Sequence, residues 1–341
     1  MGRSMVAPGW RWLLAVCLAT GGISAQAREY RGHPGVQAFV AAMVEKYGFD
    51  RDELTRLFAG AQYQQSIVDA MERPAEQVKP WYAYRAIFVT EKRISDGVEF
   101  WRQNRDALAR VRRDYGMDPA IVVAIIGVET SYGRITGNFR VLDALSTLAF
   151  DYPKRSEFFT RELEQFLLLS REQRRDPQEI RGSYAGAMGY GQFMPSSYRA
   201  YAIDYNGDGL ADIWNNPVDA IGSVANYFVR HGWSADGLIA VPAVARIGYD
   251  PSPVNVLVKP VLKPDELAAM GFTPAPTPVT GTPVPQAAAF PLELEGEKGA
   301  EFWLAYDNFY VITRYNHSHR YAMAVYQLSR EVAARMADAP G

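Results

Sequence analysis

The chain has 341 residues, of which 48% are hydrophobic and 22% charged; its formal charge is −2 and its pI about 6.2. This composition excludes a disordered or collagen-like chain. No Lys/Arg-rich run is present, so no nucleic-acid partner is expected.

Arg3 and Arg11 lead into an apolar stretch from Trp12 to Ile23, and Ala25-Gln26-Ala27 has the small-x-small form of a signal peptidase site. Residues 1–27 therefore read as a signal peptide and imply a periplasmic protein. Nothing later reaches the roughly 18 consecutive apolar residues of a spanning helix. The only cysteine, Cys17, lies inside this segment, so the mature chain would hold no disulfide and no cysteine metal site. Lipidation at Cys17 is the weaker reading, because Val16 stands where a small residue is usual.

Helices follow at Val36–Tyr47, Asp52–Phe58 and Glu99–Tyr115. Asp118-Pro119 pairs a cap residue with proline at the first helical position. Ile121 to Val128 is apolar almost throughout, which predicts a helix buried on most sides, with a stop near Gly133. Further helices fit Val141–Ala149, Ser156–Ser170 and Pro217–His231. Gly182 to Ser197 reads as a loop leading into a short helix. After Trp233, Leu238–Ile247 and Pro253–Val261 read as strands, Thr273 to Pro291 as extended chain, and Ala300–Thr313 as a hairpin turning at Tyr306-Asp307-Asn308. Ser318–Met336 returns to helix. That helix should pack back on the helical body, making the β region an insertion in a mainly α (α+β) fold.

Glu129 is the sharpest catalytic candidate. It ends a nearly continuous apolar run at the C-terminus of a buried helix, where desolvation and the negative end of the helix dipole both favour a protonated carboxyl. A protonated carboxyl at neutral pH is what a general acid must be. The glycine-rich stretch 182–198 interleaves Tyr, Phe and Met with Gly. It offers Ser183, Gln192 and aromatic faces to a ligand that approaches the backbone closely.

Val128-Glu129-Thr130-Ser131-Tyr132-Gly133, Gly182–Ser197, Asn226-Tyr227-Phe228, Tyr315-Asn316 and Ala322-Met323-Ala324-Val325 together resemble the B-type lytic murein transglycosylases of Gram-negative bacteria. The resemblance runs from about Gly35 to Val332. It implies a lysozyme-like helical core with an added helical domain and a small inserted β domain. The implied boundaries are a signal peptide at 1–27, a helical domain at 28–115, the core at 116–235, the β domain at 236–314 and the returning helix at 315–341. It also implies cleavage of the β-1,4 bond between N-acetylmuramic acid and N-acetylglucosamine, with a 1,6-anhydro-muramyl end as product. Glu129 would act as acid and then base, without a catalytic cofactor. The substrate contacts implied are Tyr84, Ser131, Arg155, Ser183, Gln192, Phe193, Tyr227, Tyr315, Asn316 and Tyr321. Lys154 departs from the family pattern, which has a second Arg there. Asp151, the nearest downstream acid, reads as structural.

Asp204-Tyr205-Asn206-Gly207-Asp208-Gly209-Leu210 matches the start of a helix–loop–helix calcium site, with oxygen side chains at positions 1, 3 and 5 and glycine at 6. Leu210 would give its carbonyl. Asn215 stands at position 12, where a bidentate Glu is expected. The resembling family uses an extended loop, which assigns Asp219 as the last ligand and Ca2+ a structural role; Asp212 is a candidate through water. The four histidines are scattered and suggest no zinc site. Peptidoglycan glycan strands are the expected partner, with cell-wall synthesis or division proteins unidentified. The competing readings are a hydrolytic muramidase, which needs a second carboxylate to orient water, and a non-catalytic peptidoglycan-binding scaffold.

Overall fold

The computed structural model describes residues 30–72, 79–235, 237–276 and 285–338; the expected signal peptide, with Cys17, lies outside them. In chain order the described elements open with α1 (Pro34–Tyr47), α2 (Arg51–Ala59), α3 (Gln65–Glu72), α4 (Trp81–Phe88), α5 (Glu91–Gln103), α6 (Arg105–Tyr115) and α7 (Pro119–Thr130). Then come β1 (Phe139–Arg140), α8 (Val141–Phe150), a 3-10 turn at Pro153–Arg155, α9 (Ser156–Glu172), β2 (Arg181–Gly182), α10 (Pro195–Tyr201) and α11 (Pro217–Arg230). The chain closes with β3 (Ala240–Ala245), α12 (Pro264–Met270), β4 (Phe272–Pro274), β5 (Phe290–Gly296), β6 (Gly299–Ala305), α13 (Asp307–Tyr315) and α14 (His319–Ala337).

These elements fall into two compact units, each assembled from separate stretches of chain. Among the described residues, the first lies within 79–132 and 224–338, the second within 30–72 and 133–223. In the first unit α7 is the core. Every residue from Ala120 to Val128 is buried, and α5 and α14 pack against it. The returning C-terminal helix thus covers the apolar run that the sequence predicts to be buried. The same unit carries a four-stranded antiparallel sheet, β4-β3-β6-β5, in which Val241 faces Leu304 and Leu292 faces Trp303. One sheet face closes over Leu267, Phe272, Ala289, Leu304 and Tyr306. In the second unit α8 packs on α9, and α9 on α10.

Several elements differ from the sequence reading. The helix expected over Glu99–Tyr115 is two helices. Asn104 (φ −117°, ψ 24°) breaks it, and its Nδ2 donates to the Phe100 carbonyl at 2.9 Å. An asparagine offers the backbone this alternative to the helical ladder. α3, α4 and α12 were not anticipated. Pro253–Val261 is not a strand. Prolines at 251, 253 and 260 remove ladder donors, and Asn255 (φ 59°) exchanges side-chain hydrogen bonds of 3.0 and 3.1 Å with the backbone of Glu293. The hairpin lies earlier than expected: β5 and β6 turn at Glu297-Lys298, and Tyr306-Asp307-Asn308 opens α13 instead. Buried Asn308 fixes that corner by holding Ser234 and Gly237 backbone groups at 2.9 Å.

Tyr132 packs against the end of α7, and a Cβ built at Gly127 would lie 2.6 Å from its ring. Gly127→Ala should therefore force Tyr132 out and destabilise the protein by about 1–3 kcal/mol. A thermal melt reads this as a fall of several degrees.

Candidate active site

α7 begins where Asp118 accepts from the Ala120 amide at 3.0 Å with Pro119 at its first position. It ends in three successive left-handed residues, Ser131 (φ 49°), Tyr132 (φ 63°) and Gly133 (φ 84°). The expected stop at Gly133 is thus two residues early, at Ser131. The Ser131 amide donates to Gly127 O at 3.1 Å and the Tyr132 amide to Ile126 O at 3.3 Å, which satisfies carbonyls at the helix end. Arg93 secures this turn from α5. Its Nη2 donates to Ser131 Oγ at 3.1 Å, and its carbonyl accepts from the Tyr132 hydroxyl at 2.8 Å. No sequence signal pointed to Arg93.

This scaffold presents Glu129 between two buried neighbours, Val128 and Thr130, while Glu129 keeps partial exposure. Burial pushes its carboxyl from 4.5 to about 7, opposed by a hydrogen bond from Tyr321. The Tyr321 hydroxyl donates to Glu129 Oε1 at 2.5 Å. Ser318 caps α14 by accepting from the Tyr321 amide at 3.3 Å, which sets Tyr321 in the first turn. Tyr321 and Tyr315 have hydroxyls held well above their ordinary pKa by burial, and the negative charge of Glu129 adds to both shifts. They remain protonated donors.

The first unit also holds Tyr84, Tyr227, Tyr315 and Asn316, of which Tyr315 feels the charge of Glu129. Tyr84 stacks on Trp81 and contacts Phe88, and its field reaches Tyr321. Tyr315 stacks on Phe228 and meets Tyr227 edge-on at 4.8 Å between centroids. Tyr227 anchors this cluster by donating to the Arg314 carbonyl at 2.6 Å. Asn316 follows α13, is 5% exposed, and has a buried Oδ1 with no hydrogen-bond partner. An orphaned buried acceptor is costly unless a ligand satisfies it.

Arg155, Ser183, Gln192 and Phe193 belong to the second unit. Arg155 ends the 3-10 turn with its guanidinium over the rings of Phe158 and Phe159, at 4.8 and 5.4 Å. Lys154 instead reaches Glu72 at 3.3 Å. Ser183 Oγ accepts from the Ala185 and Ala187 amides at 3.3 and 3.0 Å. Gln192 (φ 50°) donates its Nε2 to Thr136 O and Gly189 O, both at 3.1 Å. Met188 and buried Phe193 exchange both backbone hydrogen bonds at 2.9 Å. The glycine-rich stretch is therefore a braced wall rather than a loose linker. A Cβ at Gly137 would lie 2.1 Å from the Gly182 carbonyl, so this packing requires glycine there. Asp151 accepts from the Tyr30 hydroxyl at 2.7 Å, a structural contact.

The second unit also contains the candidate metal loop. Carboxylate oxygens of Asp204, Asp208 and Asp219 lie within 4.8 Å of one another. Asp219 is fully buried in the first turn of α11 and accepts from the amides of Tyr205, Asn206 and Asp212. Burial raises its pKa, and Asp204 adds to the rise. Three hard oxygen groups converging at this separation suit calcium, which would offset their mutual repulsion. Asn206 and Leu210 sit in the same turn: Asp208 N donates to Asn206 Oδ1 at 3.0 Å, and Leu210 N to Asp208 Oδ1 at 3.0 Å. Asp212, the candidate through water, pairs with Arg175 at 2.7 Å.

Residues 31–330 match the family described as the transglycosylase SLT domain. The chain is 46% identical over 314 residues to membrane-bound lytic murein transglycosylase B of Escherichia coli, covering 89% of this chain and 84% of that one. The crystal structure of the E. coli lytic transglycosylase Slt35 in complex with calcium superposes with a TM-score of 0.80 at 45% identity, over 91% of this chain and 96% of that one. SltB3 of Pseudomonas aeruginosa, in complex with NAG-anhNAM-pentapeptide, superposes with a TM-score of 0.78 at 32% identity, over 89% and 80% of the respective chains.

Two measurements follow from this geometry. Site-resolved NMR titration should place the Glu129 midpoint near 7, and Tyr321→Phe should raise it further, because the lost hydrogen bond favours the carboxylate. Calcium should raise the melting temperature over a chelator control by several degrees at saturating metal, and Asp219→Ala should abolish that increment.

Proposed function

The chain belongs to the transglycosylase SLT domain family, and from that premise we propose how its residues carry out the reaction. The protein is a lytic murein transglycosylase with a lysozyme-like, mainly helical fold. It acts on peptidoglycan glycan strands, cleaving the N-acetylmuramic acid–β-1,4–N-acetylglucosamine bond and leaving a 1,6-anhydro end. The observation that carries the residue assignment is the pairing of Glu129, raised to about 7, with the Tyr321 hydroxyl at 2.5 Å.

Near neutral pH a large fraction of Glu129 is protonated. Tyr321 donates to Oε1, so the acidic proton belongs on Oε2. That proton passes to the glycosidic oxygen as the C1–O bond breaks. The Glu129 carboxylate then takes the proton of the muramyl C6 hydroxyl as its oxygen attacks C1 of the same ring. One bond breaks, one forms, Glu129 recovers its proton and no water is consumed. Among the described residues no other carboxylate contributes to the Glu129 shift; a hydrolytic route needs a second one to orient water.

The remaining site residues take binding roles in this reading. Tyr84, Tyr227, Tyr315 and Tyr321 offer aromatic surface and hydroxyls, and Asn316 Oδ1 would accept the N–H of an acetamido group. Ser131, Arg155, Ser183, Gln192 and Phe193 complete the assignment, the last three as parts of the braced wall. Asp204, Asn206, Asp208, Leu210 and Asp219 would hold calcium, which would supply no chemistry to the reaction and would brace the start of α11. The β segment within 236–314 is assigned as an inserted small domain. No helix among the described residues is long and apolar enough to cross a membrane. We assign the enzyme to the periplasm after cleavage at Ala27, with a lipid on Cys17 as the alternative anchor.

Muropeptides released from purified sacculi should end in 1,6-anhydro-muramic acid by mass spectrometry; reducing muramic ends would instead indicate hydrolysis. Glu129→Gln should lower cleavage by at least about 10²–10⁴-fold while preserving the fold. Because the free enzyme must hold a protonated Glu129, the wild-type rate should fall as pH rises through about 7.

A further inference from the structure

A groove in the first unit, separate from Glu129, has no role in this reaction. Its walls are α4, α14 and the outer face of the sheet, and its cavity is about 810 Å³. A second depression of about 410 Å³ continues it along β3 and shares Pro242, Glu301 and Trp303 with it. Neither Tyr84 nor Tyr321 lines either part.

We propose that this groove binds a second strand of β-1,4-linked N-acetylated amino sugars, apart from the strand being cleaved. The proposal rests on the assignment of peptidoglycan as substrate. Its form is long and open, as a linear polymer requires. Trp303 projects from central strand β6 on the face opposite the Leu304 core. It meets Tyr326 of α14 at 89° between ring planes, with centroids 6.4 Å apart. The Tyr326 hydroxyl is fixed on the Ala240 carbonyl at 2.9 Å, so this aromatic corner is rigid. Such a corner offers flat apolar surface for the C–H faces of sugar rings. Trp81 forms part of the lining, and its buried indole Nε1 has no acceptor. The rim balances Glu297, Glu301 and Glu331 against Arg85, Lys298 and Arg330. These carboxylates and cations offer acceptors and donors for the hydroxyls and acetamido groups of such a strand. Murein strands lie side by side in a sacculus, so such a groove would hold the enzyme on one strand while it cuts another.

The experiment compares intact sacculi with a soluble tetrasaccharide of the same repeat, using Trp303→Ala and, as a second variant on an exposed position, Tyr82→Ala. Cleavage of the tetrasaccharide should stay within about two-fold of wild type. Binding to and solubilisation of sacculi should fall about five-fold or more, and binding to the long glycan strands that an amidase frees from their stem peptides should fall equally. Unchanged activity on sacculi for both variants would overturn the proposal. A parallel loss on both substrates would make the groove part of the fold or of the catalytic site, and would also overturn it. A loss that needs the stem peptides would assign the groove to peptide instead. A wild-type protein that cleaves neither substrate would overturn the function assignment itself, a result distinct from all of these.

Discussion

The first unit is organised around one constraint: a carboxyl group must be held at the end of a helix that has no polar face. Every residue of α7 from Ala120 to Val128 is buried, so the helix is stable only while α5 and α14 cover it. That same covering removes water from Glu129 and raises its pKa from 4.5 to about 7, a bias of at most about 3 kcal/mol against the carboxylate. Stability and acidity therefore have one cause. A polar substitution within the run would loosen the packing and return Glu129 toward an ordinary carboxylate at once.

The location of Glu129 was legible because the signal is local. An apolar run, a cap pair and a terminal acid all lie within twelve residues. What completes the acid was not legible, because it comes from far away in sequence. Tyr321 lies 192 positions from Glu129, and Arg93 lies 38 positions from the Ser131 it secures. The resemblance named Tyr321 as a cleft residue, yet only the folded chain reveals its hydrogen bond to the acid. The misread elements share a different cause. At Asn104 and Asn255 a single side chain replaced a backbone partner, ending a helix in one case and substituting for a strand in the other. Around Tyr306 the apolar pattern of β6 continued into α13, and buried Asn308 made the corner that the pattern did not mark.

In the second unit, residues that resemble substrate contacts also hold their own loop together. Ser183 Oγ and Gln192 Nε2 are both bonded to backbone groups within the unit. A side chain already fixed in this way can present a ligand surface with little further loss of conformational freedom. The metal loop follows the same logic. Asp219 gathers three backbone amides while lying within reach of two more carboxylates. The amides hold the loop in shape, and a cation would relieve the charge they leave unbalanced.

A single carboxyl suffices for this reaction because the nucleophile belongs to the substrate. The muramyl C6 hydroxyl is tethered to the ring it attacks, and such intramolecular reactions reach effective molarities of about 10⁵–10⁸ M. An enzyme that recruits free water must hold and activate it with a second group; one that uses a tethered hydroxyl need only remove a proton. The base for that step is the conjugate of the acid used in the first. In the roles proposed for Glu129 a pKa near 7 would serve both: the acid is available before bond cleavage, and the carboxylate is basic enough afterwards. Tyr321 tunes this balance in one direction only. Its hydrogen bond favours the carboxylate, and without it burial alone would hold Glu129 as an acid too weak to release its proton readily.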